Sequence, residues 1–205
     1  MVPPGNSWIG IVQNADSFSL FDDLDAAVRS GSGEKCLAML RQVTELFLSK
    51  ADHLDEEQIG IFDQVLVRLV EIIETRTLAE ISESMAAVAN APVALTLKLA
   101  RHSEIEIARP ILTSSSRLTT ADLVELARTG SRHHLLAISQ RAQVEAAVTD
   151  VLLDCGDKAV AQSVAGNPGA QFSERGLASL QKMLSAMIPP VAREKPERGI
   201  RAAQV

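Results

Sequence analysis

The sequence has no tyrosine, a single tryptophan and five phenylalanines. With so little aromatic mass and hydrophobic residues at 46%, the core must be Leu, Ile, Val and Ala. That mixture suits closely packed helices better than a sheet, which draws on β-branched and aromatic side chains. Cysteine is scarce as well: Cys36 and Cys155 stand alone, in no metal-ligand spacing. No disulfide framework, metal site or cofactor is therefore expected, and both thiols read as small packing residues on apolar helical faces. No run approaches ~18 uninterrupted apolar residues, so no membrane span is expected. Residues 1–5 lack the basic region and apolar run of a secretory signal, which makes the cytoplasm the expected compartment. A positive balance is missing too. The net charge is −6, and together with the lack of tyrosine this argues against nucleic acid, which calls for a basic face and stacking rings.

The 205 residues suit one domain with a small extension. Charge is divided unevenly: residues 1–90 hold 6 Lys/Arg and 15 Asp/Glu, residues 91–205 hold 14 and 11. An acidic N-terminal part and a mildly basic C-terminal part allow head-to-tail self-association, although ordinary surface variation is the simpler explanation. Four segments follow from composition and periodicity. Residues 1–17, rich in Pro, Gly and Asn at first, read as a flexible N-terminus. Residues 18–54 read as an N-terminal helical cap, with a short helix near 19–29 and a longer one over 34–50. Residues 55–188 read as a helical repeat domain, and 189–205 as a disordered, charged tail.

The repeat domain opens at Asp55, a good N-cap. Ile59, Phe62, Leu66, Leu69 and Ile73 then form one stripe, and Val65, Val70 and Ile72 a second face. A helix apolar on two faces belongs inside a stack. Leu99, Leu126, Leu153 and Leu180 follow at steps of 27 residues, with Leu152 competing for the third place. Ile111-Leu112, Ala137-Ile138 and Ser163-Val164 mark a second helix per unit at steps of 26, and Asn90 and Asn167 mark recurring breaks. Ser103, Thr119 or Thr120, Asp157 and Ser173 are the expected N-caps. Pro110 implies that its helix is kinked or starts just before it. A 26–27-residue period with two short helices per unit points to an all-α superhelix, a HEAT/armadillo-like solenoid whose helices are stable only when stacked.

The run from Phe62 to Leu180 resembles an uncharacterised bacterial family, a domain of unknown function with HEAT-like helical repeats. The resemblance rests on Glu74-Thr-Arg76, Ile107-Ala-Arg-Pro110, Leu118-Thr-Thr-Ala-Asp-Leu123, Ala147-Val-Thr-Asp150, Asn167-Pro-Gly-Ala170 and Phe172-Ser-Glu174. It implies a helical-repeat fold and supplies no activity, cofactor or site residue. The broader likeness to HEAT repeats implies a protein-interaction surface, by analogy of fold alone.

Few residues suggest chemistry. His133 and His134 point about 100° apart on a helix and cannot readily share a metal; with His102 they read as surface histidines. Cys155 beside Asp154 has no base placed by the sequence. Thr113, Ser114, Ser115 and Ser116 lack the glycines and lysine of a phosphate loop and read as a solvated connection. Arg101, Arg109, Arg117, Arg128, Arg132 and Arg141 are the richest set. Arg101 and Arg128 hold equivalent places in successive units, so with Arg109 and Arg132 they are the candidate partner-binding residues, able to grip carboxylates or phosphates. Surface ion pairs with Glu104, Glu106 and Glu125 would explain the same arginines. The expected function is a non-catalytic scaffold or regulatory module binding another protein along one face of the stack. The alternative is an enzyme acting on a small molecule or nucleobase in the groove, with Asp150 or Asp154 as general base.

Overall fold

A computed structural model describes residues 33–187 except 72 and 74. Expectations for residues 1–17, the helix near 19–29 and the tail at 189–205 lie outside the described residues. Within them the protein is all-helical, with ten α-helices, one short 3-10 turn and no strand. The helices are α1 (Gly33–Lys50), α2 (Glu56–Val70), α3 (Thr75–Ala86), α4 (Val93–Ala100), α5 (Ile105–Ser114), α6 (Thr120–Thr129), α7 (Arg132–Ser139), α8 (Ala146–Asp154), α9 (Lys158–Ala165) and α10 (Glu174–Met187).

Most helices pack against the helix two further along, whereas α1 packs chiefly on α2, and α4 on α2 and α5 rather than on α6. One layer is α3, α5, α7 and α9, each close to the next; the other brings α2 against α4, and α6 against α8 and α8 against α10. The helix pairs α4–α5, α6–α7 and α8–α9 join the two layers. Helices of 8–10 residues are marginal alone, so this double burial holds them. The core runs unbroken from Cys36 and Leu40 to Val160 and Val164 and is nearly all aliphatic; among the described residues its one ring pair is Phe47 edge-on to Phe62 at 5.4 Å.

The capping expected of the sequence is largely present. Asp55 and Thr119 each form a capping box, and Asp157 accepts from the amides of Ala159 and Val160. Ser173 accepts from the Gly176 amide at the start of α10. Ser103 does not cap α5: the N-cap is Glu104, whose amide donates to Nδ1 of His102. Pro110 sits in the interior of α5, so that helix neither begins there nor stops. The helix opened at Asp55 ends at Val70, and Ile73 follows it in a bend, half-buried.

Two breaks in the chain have a shared purpose. The side-chain amide of Asn90 donates back to the carbonyl of Ala51, beyond α1. Asn167 does the same to the carbonyls of Ser139 and Arg141, each at 2.8 Å. Arg141 in turn sends its guanidinium to the carbonyls of Leu112 and Ser115, both at 2.8 Å. The orphan carbonyls at one helix C-terminus are thus satisfied by the loop that follows the next helix of that layer. Burial lowers the pKa of Arg141 from its ordinary value. Beside Asn167, the Val144 amide donates to Gly169 at 3.0 Å and the Gln171 amide to Val144 at 2.8 Å.

Candidate functional site

Burial places the layer's helices in register. Leu69, Leu99, Leu126 and Leu152 are each at most 2% exposed. Helix starts at Val93, Thr120 and Ala146 make Leu152, not Leu153, the counterpart of Leu126. Two residues beyond these leucines come Glu71, Arg101, Arg128 and Asp154, all exposed near the C-terminal ends of α2, α4, α6 and α8. One residue before them come Arg68, Lys98, Glu125 and Val151.

These two sets link successive helices by charge. Glu71 on α2 meets Nζ of Lys98 on α4 at 2.6 Å, and Arg101 on α4 meets Glu125 on α6 at 3.0 Å. Asp154 on α8 pairs with Arg175 on α10. The hydrogen bond from Lys98, followed by its charge, lowers the pKa of Glu71, and Asp154 raises that of Arg175. At the third position the link fails. Arg128 faces a layer neighbour in which the matching residue is Val151, and among the described residues its guanidinium has no ion pair.

The surface beside this ladder is apolar. Val67, Leu97 and Val124, each two residues before the register leucine, are partly exposed and packed on the core; Ala94 and Ala121 beside them are exposed. A shallow depression of about 610 Å³ lies over α4, lined by Val67, Ala94 and Leu97 together with Lys98, Arg101 and His102. The α4–α6 step is packed less closely than the other steps of the layer.

The remaining candidates are dispersed. Arg109 is exposed on α5, in the other layer. Arg132 begins α7 there, with Nε 2.8 Å from Asp157. Arg117 comes within 3.9 Å of Glu56, and Arg141 is half-buried in the capping role described above. The sequence therefore grouped arginines that the fold divides between two layers. Only Arg101 and Arg128 share a face, as their spacing suggested.

Three expectations about other residues need correction. His134 is buried, 5% exposed, whereas His133 is exposed. The Nε2 of His134 lies 2.9 Å from the His102 carbonyl and its Nδ1 2.7 Å from Oγ of Ser131. Because a carbonyl only accepts, Nε2 carries the proton and Nδ1 accepts from the hydroxyl. The buried ring ties the turn after α4 to the start of α7, and Gly130 makes room for it, since a Cβ there would lie 2.8 Å from that of His134. Cys155 is exposed at the end of α8 and is not a packing residue; Cys36 is buried. Ser115 is buried, its hydroxyl accepting from the Arg117 amide and its carbonyl from Arg141, so the hydroxyl run is not wholly solvated.

Asp150 and Asp154 both serve contacts between α8 and α10. The hydroxyl of Ser173 donates to Asp150 at 2.7 Å, and Asp154 holds Arg175 on the exposed surface. Among the described residues no group of three or more His, Cys, Asp and Glu is arranged to hold a metal ion, and no helix is long and apolar enough to cross a membrane.

An all-helical chain with short stacked helices and linking ion pairs is the class that fold and face define. Residues 107–187, from α5 into α10, match the model of a family described as an uncharacterised protein conserved in bacteria (DUF2336). The resemblance read from the sequence is thus upheld from Ile107 onward, while Glu74-Thr-Arg76 precedes the matched stretch. No curated protein and no solved structure matches the chain.

Proposed function

We propose that the chain is a non-catalytic scaffold or regulatory module of the cytoplasm, a HEAT-like stack of short two-helix repeats that binds another protein along the outer face of the α2–α4–α6–α8 layer. The observation that carries this reading is Arg128. Its counterparts Glu71, Arg101 and Asp154 each pair with the next helix of the layer, while Arg128 stays exposed beside half-exposed Val124 and Val151. An exposed guanidinium next to apolar surface suits a carboxylate delivered by a partner. Apolar side chains at the centre with charge at the rim are the usual make-up of a protein interface. The engagement of Asp150 by Ser173 and of Asp154 by Arg175 supports binding over catalysis, because both carboxylates then have structural work. Fold likeness contributes only a prior.

The test compares the tagged full-length chain with a variant carrying Arg101→Glu and Arg128→Glu. Proteins retained from an extract of the source cell are quantified for both, and circular dichroism follows the fold. The expected outcome is unchanged helicity with loss of the retained partners. Equal retention by both chains refutes the proposal, and lost helicity would make the arginines structural instead.

A further inference from the structure

The stack is not tied equally along its length. Stacked helices touch only their neighbours, so a weakly packed step is a place where the stack can bend. Such a step separates α1–α5 from α6–α10. Helix α6 packs on α7 and α8, whereas its contacts with α4 and α5 are slight. The two parts meet mainly where α7 packs on α5. That seam is pinned at both ends. At the start of α7, Nε2 of buried His134 donates to the His102 carbonyl at 2.9 Å. Beyond its end, Arg141 donates to the carbonyls of Leu112 and Ser115 at 2.8 Å. Two pins at the two ends of one helix define an axis.

Away from that axis, mainly surface charge spans the step. Arg101 on α4 meets Glu125 on α6 at 3.0 Å, both side chains about half exposed. Arg117, just before α6, comes within 3.9 Å of Glu56 at the start of α2, and its buried Nε has no hydrogen-bond partner among the described residues. Asn90 and Asn167 tie their loops back to earlier helix ends. Among the described residues, no side chain of the 115–119 loop is bonded in this way to the loop at 87–92. Exposed ion pairs hold weakly and are screened by salt. We propose that the stack is jointed here: α6–α10 turn about α7 as one body, opening the α4–α6 step, with Arg101–Glu125 and Arg117–Glu56 as the latch. This is a hinge motion in which the pinned seam stays packed. Opening parts Leu97 on α4 from Val124 on α6, so the latch sets the shape of the layer's outer face. The joint goes beyond the protein-binding reading and does not depend on it.

Double electron–electron resonance on the spin-labelled full-length chain measures the spread of distances directly. Cys155→Ser removes the exposed thiol, and Cys36 is buried. Three label pairs occupy exposed positions. Glu57→Cys with Ala121→Cys crosses the step on its open side. Glu83→Cys with His133→Cys crosses it on the pinned side, and Ala121→Cys with Ala178→Cys stays within α6–α10. The first pair should give a broad or two-peaked distribution, and the other two a narrow one. Glu125→Gln should raise the longer-distance share of the first pair about twofold, the size of effect that one exposed ion pair controls, and added salt should act in the same direction. Exchanging the charges, Arg101→Glu with Glu125→Arg, should restore the parent distribution, which a merely structural role for either side chain would not do. Equal widths for all three pairs overturn the proposal. Equal broadening of the first two pairs also overturns it, because the halves then move without an axis. Indifference of the first pair to Glu125→Gln removes the latch and with it the proposal.

Discussion

Gly169→Ala should be among the most damaging single-methyl changes in the chain. A Cβ built on Gly169 would lie 1.9 Å from the carbonyl oxygen of Ala142 and 2.8 Å from its carbon. Both are backbone atoms, so no rotamer change relieves the overlap. The strand-like exchange between Val144 and residues 169–171 and the hold of Asn167 on the α7 C-terminus are anchored at the same spot, so a shift of the loop weakens all of them. Overpacking alone costs about 1–3 kcal/mol. Loss of even one or two hydrogen bonds adds roughly 1 kcal/mol each, for a total of about 3 kcal/mol. For a chain of this size that lowers Tm by roughly 6–12 °C. Two controls separate this mechanism from a general dislike of alanine. A Cβ at Gly60, inside α2, meets nothing within 4 Å, and one at Gly166 finds its nearest neighbour at 3.4 Å. Gly60→Ala should gain about 0.5–1 kcal/mol through helix propensity, and Gly166→Ala should be nearly neutral. Urea and thermal unfolding followed by circular dichroism measure all three. A Gly169→Ala protein within about 0.5 kcal/mol of the parent would refute the assigned geometry.

Two further outcomes follow from the same contacts. Arg141→Met keeps the aliphatic stem but removes two donors at 2.8 Å from the carbonyls of Leu112 and Ser115; unfolding should show a loss of about 2–4 kcal/mol, with Arg141→Lys intermediate because a point charge cannot fork. Glu71, ordinarily at 4.5, and Asp157, ordinarily at 3.8, both have lowered pKa values, the first through Lys98 and the second mainly through the Val160 amide, so their stabilisation is present above those ordinary values and disappears as pH falls through the lowered ones; Glu71→Gln with Asp157→Asn should flatten the acid limb of a Tm–pH curve, and an unchanged slope would count against both contacts.

Much of the fold was legible because burial repeats. Leu99 and Leu126 stand at one period and both are buried; Ile111, Ile138 and Val164 mark the other layer in the same way. Asn90 and Asn167 were visible as breaks, but their backward hydrogen bonds depend on which helix ends lie nearby, and spacing does not reveal that. Leu152 and Leu153 could not be ranked because both are buried; only the helix start at Ala146 separates them. The histidines and Cys155 were misread for a shared reason. Adjacent residues on a helix differ in burial by orientation alone, so His133 and His134 take opposite environments, and Cys155 falls just past the last turn of α8, where the apolar face no longer covers it.

The face itself was half visible. The sequence relates Arg101 to Arg128, but the meaning of that relation lies in the residues they reach. Arg101 finds Glu125, and Glu71 finds Lys98, so the first two steps of the layer are bound by charge. The Arg128 position has Val151 ahead of it, although α6 and α8 pack closely, so this step does not depend on a salt bridge. Exposed ion pairs contribute little to stability in any case. Placing an acidic residue at 151 would therefore have changed the fold little while neutralising Arg128. A valine there leaves an exposed guanidinium bordered by apolar surface, a combination with little value inside the chain and one that suits a carboxylate of a protein partner. Val151→Glu is accordingly the substitution that closes the internal ladder, and it should silence the face while leaving Arg101, Arg128 and the apolar side chains of α2, α4 and α6 in place.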